Sequence, residues 1–400
     1  MRTLAPRSRI AVAALTLVVV FVSSILAAPT TRNGVVLGLA LDGALASLSV
    51  LSSRDLRKRR PTLARALGSV VVVDVALGAT FFFSANTNYN LAIGAAMAIV
   101  LLGLSFLTGI SGQISLGNSA FMGVGALAVA IWANHHASTP LVVTLLIAVA
   151  CGAVAGLLLG LPAARLRGPY LAGMTLAFAV AFTAIVNSFT SWTGGDAGLQ
   201  LPNAVTAPRW MATLFDSQSS PLALNSAWLA DVTIVAAGVS FFLMANLIHS
   251  RAGRAMRLLR DNDVAAEIVG VSLARTRVLA FVVSSAYAAL GGGLWTLINN
   301  SVSPPAYSFA LSITILSLVV IGGIGTVSGA LLGGVIYAYS ASVISWITTQ
   351  TGLNPQGNLA SQLNGIIFGA LLVLVMLFAP LGIVGLIRRL HRRLASKLPG

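Results

Sequence analysis

Carboxylates are scarce in this 400-residue chain, with nine Asp and Glu in total, of which Glu267 is the only glutamate. Cysteine is scarcer still. Cys151 stands alone inside an apolar run, which excludes an intrachain disulfide and a cysteine-based metal centre and leaves it as a small packing residue. The four histidines, His135, His136, His249 and His391, fall at the ends of apolar runs, and none stands at ligand spacing from a carboxylate. No Gly-Lys-Ser/Thr phosphate loop occurs, so the chain does not itself bind and split ATP in that way. No catalytic constellation is visible, and neither a metal nor a cofactor is expected. Charged residues make up 8% of the chain, against about 25% in soluble domains. That shortfall excludes an ordinary soluble fold.

Apolar sequence fills the space. Hydrophobic residues reach 57%, and runs long enough to cross a bilayer need about 20 of them each. Candidate spans lie near 10–28, 35–52, 67–84, 91–109, 117–134, 140–163, 170–190, 229–249, 278–298, 311–325, 327–347 and 363–387. The fold class is therefore all-α, a polytopic integral membrane protein with about ten to twelve transmembrane helices. The formal charge of +15 raises the question of nucleic acid, but its distribution answers it. Lys and Arg gather in five clusters, Arg2–Arg9, Arg54–Arg65, Arg165–Arg167, Arg251–Arg277 and Arg388–Lys397, leaving only Arg32 and Arg209. With the N-terminus inside and the chain crossing at every span, all five clusters land in the cytoplasm and the two lone arginines outside. This is the positive-inside pattern, with both termini cytoplasmic. The basic balance serves topology and anionic membrane lipid, not nucleic acid.

The first apolar run reads two ways. Arg2, Arg7 and Arg9 ahead of it and small residues near Ala27–Ala28 also suit a cleaved signal, but its length and Pro29 favour a retained span. The second run is weakened by Asp42 and several serines.

One cytoplasmic segment, Arg251 to Arg277, is polar between two apolar runs and carries Glu267, Asp261, Asp263 and six arginines. Arginines at every third position in its first half indicate a helix, with Gly270 as a stop. Ala255, Met256, Leu259, Val264 and Ile268 are then available to face a partner. A second anomaly is the junction Gly109 to Ser119, too polar and glycine-rich for a lipid-exposed helix. Irregular backbone at membrane depth is tolerated where it is enclosed by protein or lines a cavity. Gly112, Gln113, Ser115, Asn118 and Ser119 are the pathway candidates here, with Thr175 in a neighbouring span. Each also reads as hydrogen-bonding glue between helices. A third glycine-dense tract runs from Gly322 to Gly334. Between Ser191 and Trp228 lies the longest external segment, an ordered loop with a short surface helix. Asp42 and Asp74 are the ionisable residues within spans, apart from Asp231 at a span mouth, and each is a functional candidate on that ground. An ion-coupled carrier acting without partners would use one of them.

At this point the motifs converge on a known family. GLSFLTGISGQISLGNSAFMGVGA (Gly103–Ala126), RLRGPYLAGMTLAF (Arg165–Phe178), TGGDAGL (Thr193–Leu199), SRAGRAMRLLRDNDVAAEIVGVSLARTRVLAF (Ser250–Phe281) and GGIGTVSGALLGG (Gly322–Gly334) occur in order. Together they resemble the signature of branched-chain amino acid ABC transporter permeases of the LivM type, over roughly Leu67 to Leu386. The resemblance implies an importer subunit that is not an enzyme. Its partners would be a second related permease, two cytoplasmic ABC ATPase subunits and an extracytoplasmic solute-binding protein. It also implies an ATPase-coupling loop at residues 250–277, with Asp263, Ala265, Ala266, Glu267 and Gly270 on the family's motif and Arg257 on the helix before it. The chain then divides into an added two-span region with a basic loop (1–66), a permease domain (67–387, external loop 191–228) and a basic tail (388–400). The sequence departs from the pattern at Asn118, where the family usually has His, and at Asp196-Ala197 in place of Pro-Asn. Relatives of this kind also carry urea and short amides, so the resemblance leaves the solute open.

Overall fold

The computed structural model describes residues 84–136, 139–166, 168–201, 221–350 and 382–386. The first two expected spans, all but the last residue of the third (67–84), most of the final one (363–387), Asp42, Asp74, the two N-terminal basic clusters, Arg32, Arg167, Arg209 and the C-terminal tail lie outside them. The chain divides into two compact units, residues 1–89 with 207–246 and residues 90–206 with 247–400. In the first, the described part is the start of one helix and most of another. All the geometry below belongs to the second.

The described chain is helical. Its helices are α1 (Ala85–Gly109), α2 (Asn118–His135), α3 (Leu141–Ala163), α4 (Pro169–Ser188), α5 (Pro221–His249), α6 (Arg251–Asp261), α7 (Asp263–Ile268), α8 (Leu273–Asn299), α9 (Phe309–Gly322) and α10 (Val327–Gln350). Among the described residues, α1, α3, α4, α5 and α8 are long and apolar enough to cross a membrane. Of the remaining expected spans, α2 is weakened by polar ends, Asn118-Ser119 and Asn134-His135. The 14 residues of α9 reach only about 21 Å at 1.5 Å each, short of a ~30 Å hydrocarbon core. The expected run 311–325 therefore stops early, at the Gly322–Gly323 break. Helix α5 already starts at Pro221, within the expected external segment 191–228, of which residues 202–220 lie outside the described ones. Proline is suited to a first helical turn, where its missing N–H costs nothing.

Packing follows from small residues. Helix α8 lies against both α2 and α3. Gly152, Gly156 and Gly160 line the face of α3 that meets α8, and a Cβ at Gly156 would overlap Ser285 Oγ. Gly125 of α2 lies against the backbone of Ala289, and Gly292 of α8 against that of Met122. Lipid is as apolar as leucine, so such helices associate by close backbone approach and not by hydrophobic burial. The result is a graded bundle. Over its most apolar stretch α1 is 78% buried, while α3 is only 22% buried and turns Leu146, Leu157, Leu158 and Leu161 outward.

Candidate functional site

The polar segment after α5 folds as two helices, not one. Ser250 caps α6, its Oγ accepting the Gly253 N–H at 3.3 Å. At Asn262 the backbone turns extended, and Asn262 Oδ1 accepts from Val264 N (3.0 Å) and Ala265 N (3.1 Å) to start α7. Helix α7 ends where Gly270 takes φ +84°. Gly270 N donates to Glu267 O (2.9 Å) and Val271 N to Ala266 O (2.9 Å), the paired bonds of a Schellman closure. The break at Asn262 corrects one expectation. The stripe Ala255, Met256, Leu259, Val264, Ile268 does not face outward as a unit. Met256 and Leu259 are buried in the chain's own body together with Ala266, while Val264, Ile268 and Val269 are 67%, 81% and 73% exposed. Glu267 shares that exposed surface.

The arginines of this segment reach back to helix ends. Arg254 Nη1 donates to His249 O at 3.0 Å, and Arg257 Nη2 donates to Ile248 O, both in the last turn of α5. Arg260 Nη1 donates to Gly109 O, the terminal carbonyl of α1. Arg277 Nη1 donates to Ala164 O at 3.1 Å, at the end of α3. Three helices thus have last carbonyls held by guanidinium groups, which satisfies orphan acceptors and places positive charge at the negative end of each dipole. Arg277 also pairs with Asp263 Oδ2 at 2.7 Å, joining α7 to the same point. Arg257, expected on the coupling loop, is thereby also fixed to the end of α5.

The broken junction sits beside these contacts. After Gly109 the chain makes Ile110 N→Phe106 O (2.9 Å) and Gln113 N→Leu107 O (3.1 Å), then continues without regular structure to α2. Gly112 has φ +72°, and a Cβ there would press on the Arg260 side chain at 2.9 Å from Cγ. Of the six pathway candidates, three act as glue. Ser115 Oγ accepts from Gly117 N (3.3 Å). Ser119 N donates to Ser312 Oγ (3.0 Å), which donates on to Ser119 Oγ (2.7 Å). Thr175 Oγ1 accepts from Leu116 N (2.9 Å) and donates to Ala172 O (3.0 Å). Gln113 and Asn118 differ. Gln113 Nε2 donates to Ser111 Oγ (2.5 Å), but its buried Oε1 has no partner among the described residues. Asn118, 1% exposed, has an Nδ2 without a partner among the described residues. Buried polar atoms of this kind normally find a partner, so these two side chains retain hydrogen-bonding capacity for something else.

The two glycine-rich breaks meet. A Cβ at Gly109 would overlap the backbone of Gly325, and Ser105 Oγ accepts the Gly325 N–H at 3.0 Å. The sequence flags both tracts but not their contact, nor Ser105 that carries it, nor Arg260, Arg277 and Ser312 as partners of the first tract. These are side-chain contacts across as many as 220 residues, and no local pattern encodes them.

At the other end of the bundle, β1 (Leu199–Gln200) pairs antiparallel with β2 (Ser301–Val302). Leu201 N→Asn300 O (2.8 Å) and Asn134 Nδ2→Gln200 O (3.4 Å) extend this closure. Asp196 accepts from Asn187 Nδ2 through Oδ1 at 2.5 Å, and from Ser303 Oγ through its carbonyl at 3.3 Å. Among the described residues no group of His, Cys, Asp and Glu could hold a metal ion.

The described residues are those of a polytopic helical membrane protein, with a polar break inside the bundle and a polar helical pair at one end. Residues 86–376 match the family described as branched-chain amino acid transport system permease component. The chain belongs to this family. It is 28% identical over 347 residues to the high-affinity branched-chain amino acid transport system permease protein LivM of Escherichia coli, covering 82% of this chain and 76% of that one. It is 26% identical over 212 residues to LivH of the same organism, covering 53% and 64%. The autoinducer 2 import system permease protein LsrC of Enterobacter is 27% identical over 257 residues, covering 63% and 66%. No solved structure matches.

Proposed function

We propose that this chain is one permease subunit of an ATP-driven importer for branched-chain amino acids or a similar small polar solute. It works with a second related permease, two cytoplasmic ABC ATPase subunits and an extracytoplasmic solute-binding protein, and carries out no covalent chemistry itself. Both termini and the α6–α7 pair lie in the cytoplasm, as the distribution of Lys and Arg indicates. The observation that carries the reading is α7, a capped helix presenting Val264, Ile268 and Val269 to water beside Glu267. A polar segment outside lipid has no reason to expose three large apolar side chains unless a soluble partner covers them. An ATPase cleft seating α7 would transmit its closure to the spans. Solute passes beside Gln113 and Asn118, whose free acceptor and donor suit a zwitterionic or amide-bearing molecule without the cost of a buried charge. The solute range is supported by relatives whose names span amino acids and autoinducer 2.

The test is isolation of this chain from its native membrane in mild detergent, with mass spectrometry of what accompanies it. Two phosphate-loop ATPases and a second permease are expected. Recovery of the chain alone, transporting in liposomes under an ion gradient, would replace this reading with the partner-independent carrier.

A further inference from the structure

We propose that Arg260 and Arg277 are positioning residues that link movement of α6–α7 to the Gly109–Gly112 break; the proposal rests on the coupling role assigned to α7 above. Arg260 is gripped twice. Its guanidinium donates to the Gly109 carbonyl, and its aliphatic stem fills the space that a side chain at Gly112 would need. A guanidinium presents several donors in a fixed plane, so it can hold a carbonyl in direction as well as distance. Gly109 in turn lies on the Gly325 backbone. Displacement of α6 at Arg260 therefore moves the crossing of both glycine-rich breaks together.

Arg277 supplies the second connection. It sits at the base of α8 and ties α7, through Asp263 at 2.7 Å, to the end of α3, through Ala164 O at 3.1 Å. Its own carbonyl accepts from Gln113 Nε2 at 3.5 Å. The backbone of one residue and the side chain of the same residue thus touch the break and the coupling helix. A linkage of this kind is worth a coupling free energy that its removal should abolish, which corresponds to about a tenfold change.

The experiment uses the intact complex reconstituted in liposomes, comparing the wild type with Arg260→Gln, Arg260→Lys and Arg277→Lys. Solute uptake and ATP hydrolysis are measured on the same vesicles. Arg260→Gln keeps a donor but shortens the reach and removes the charge. Solute moved per ATP hydrolysed is expected to fall about tenfold for Arg260→Gln, with partial rescue by Arg260→Lys and an intermediate loss for Arg277→Lys. The amount of assembled complex stays at the wild-type level. Uptake and hydrolysis falling in proportion, or a ratio unchanged in all three variants, would overturn the linkage and leave the arginines as helix caps. Failure of the wild type itself to carry ATPases would overturn the importer reading instead, and the two failures are read in different samples.

Discussion

The two ends of the bundle are closed by different chemistry. At the basic end, α1, α3 and α5 terminate on guanidinium groups carried by arginines of the segment Arg251–Arg277. At the opposite end the chain is closed by its own backbone, through the pairing of Leu199 with Val302 and Gln200 with Ser301 and the bond from Leu201 N to Asn300 O. A backbone pair has fixed length and one geometry. An arginine on a carbonyl instead ties the end of one helix to a side chain of another, so that the two move together. The difference assigns stability to one end and transmissible connection to the other.

The largest effect is expected where the rigid end is struck. Gly198 has φ +72°, and a Cβ there would overlap the Val302 carbonyl. Gly198→Val should cost about 3 kcal/mol through backbone strain and overpacking, detected as faster proteolysis between residues 189 and 201. Protection equal to wild type would show that β1–β2 is not a clamp. At the basic end, Glu267→Arg should leave the amount of inserted protein unchanged while reducing uptake by more than about tenfold. Stimulation of ATP hydrolysis at wild-type level in that variant would remove Glu267 from the coupling surface. Between the ends, Asn118→Leu probes a buried amide with an unpartnered nitrogen. Replacing such a group by an apolar one of similar size is close to neutral for folding, so thermal stability in detergent should hold while uptake falls severalfold; unchanged uptake would make Asn118 a mere filler. The smallest change is Asn262→Ala. Losing this cap costs about 1 kcal/mol, and amide exchange over residues 263–268 should quicken by about fivefold, with exchange in α8 as the unaffected reference.

Much of this was readable before any coordinates. Apolar runs located α1 to α5 and α8 because burial in lipid leaves a continuous signal, and Gly270 marked the end of α7 because only glycine adopts its φ cheaply. Membership of the permease family was legible from motifs in order. Three features were not. The break at Asn262 lies inside a pattern that reads as one amphipathic helix, and a single side chain capping two N–H groups decides it. The β1–β2 pair is two residues on each side, too short for any alternation to show. The contact of Arg260 with Gly109 spans 151 residues, and the same arginine viewed locally is one more charge in a basic cluster. The pathway candidates illustrate the same limit. Ser115, Ser119, Thr175, Gln113 and Asn118 look alike in sequence, and only their hydrogen bonds separate those already occupied from those with capacity left.

The exposure of Val264, Ile268 and Val269 bears on how such a subunit is made and handled. A copy whose α7 is left uncovered displays an adhesive spot in water, the kind of surface that quality-control proteases and chaperones grip. Its abundance in a cell would then follow the supply of whatever covers that spot, and an orphan copy would be cleared before it could leak solute. The same reasoning recommends co-expression for purification, since detergent shields the lipid-facing leucines of α3 but does nothing for three side chains that stand outside the micelle.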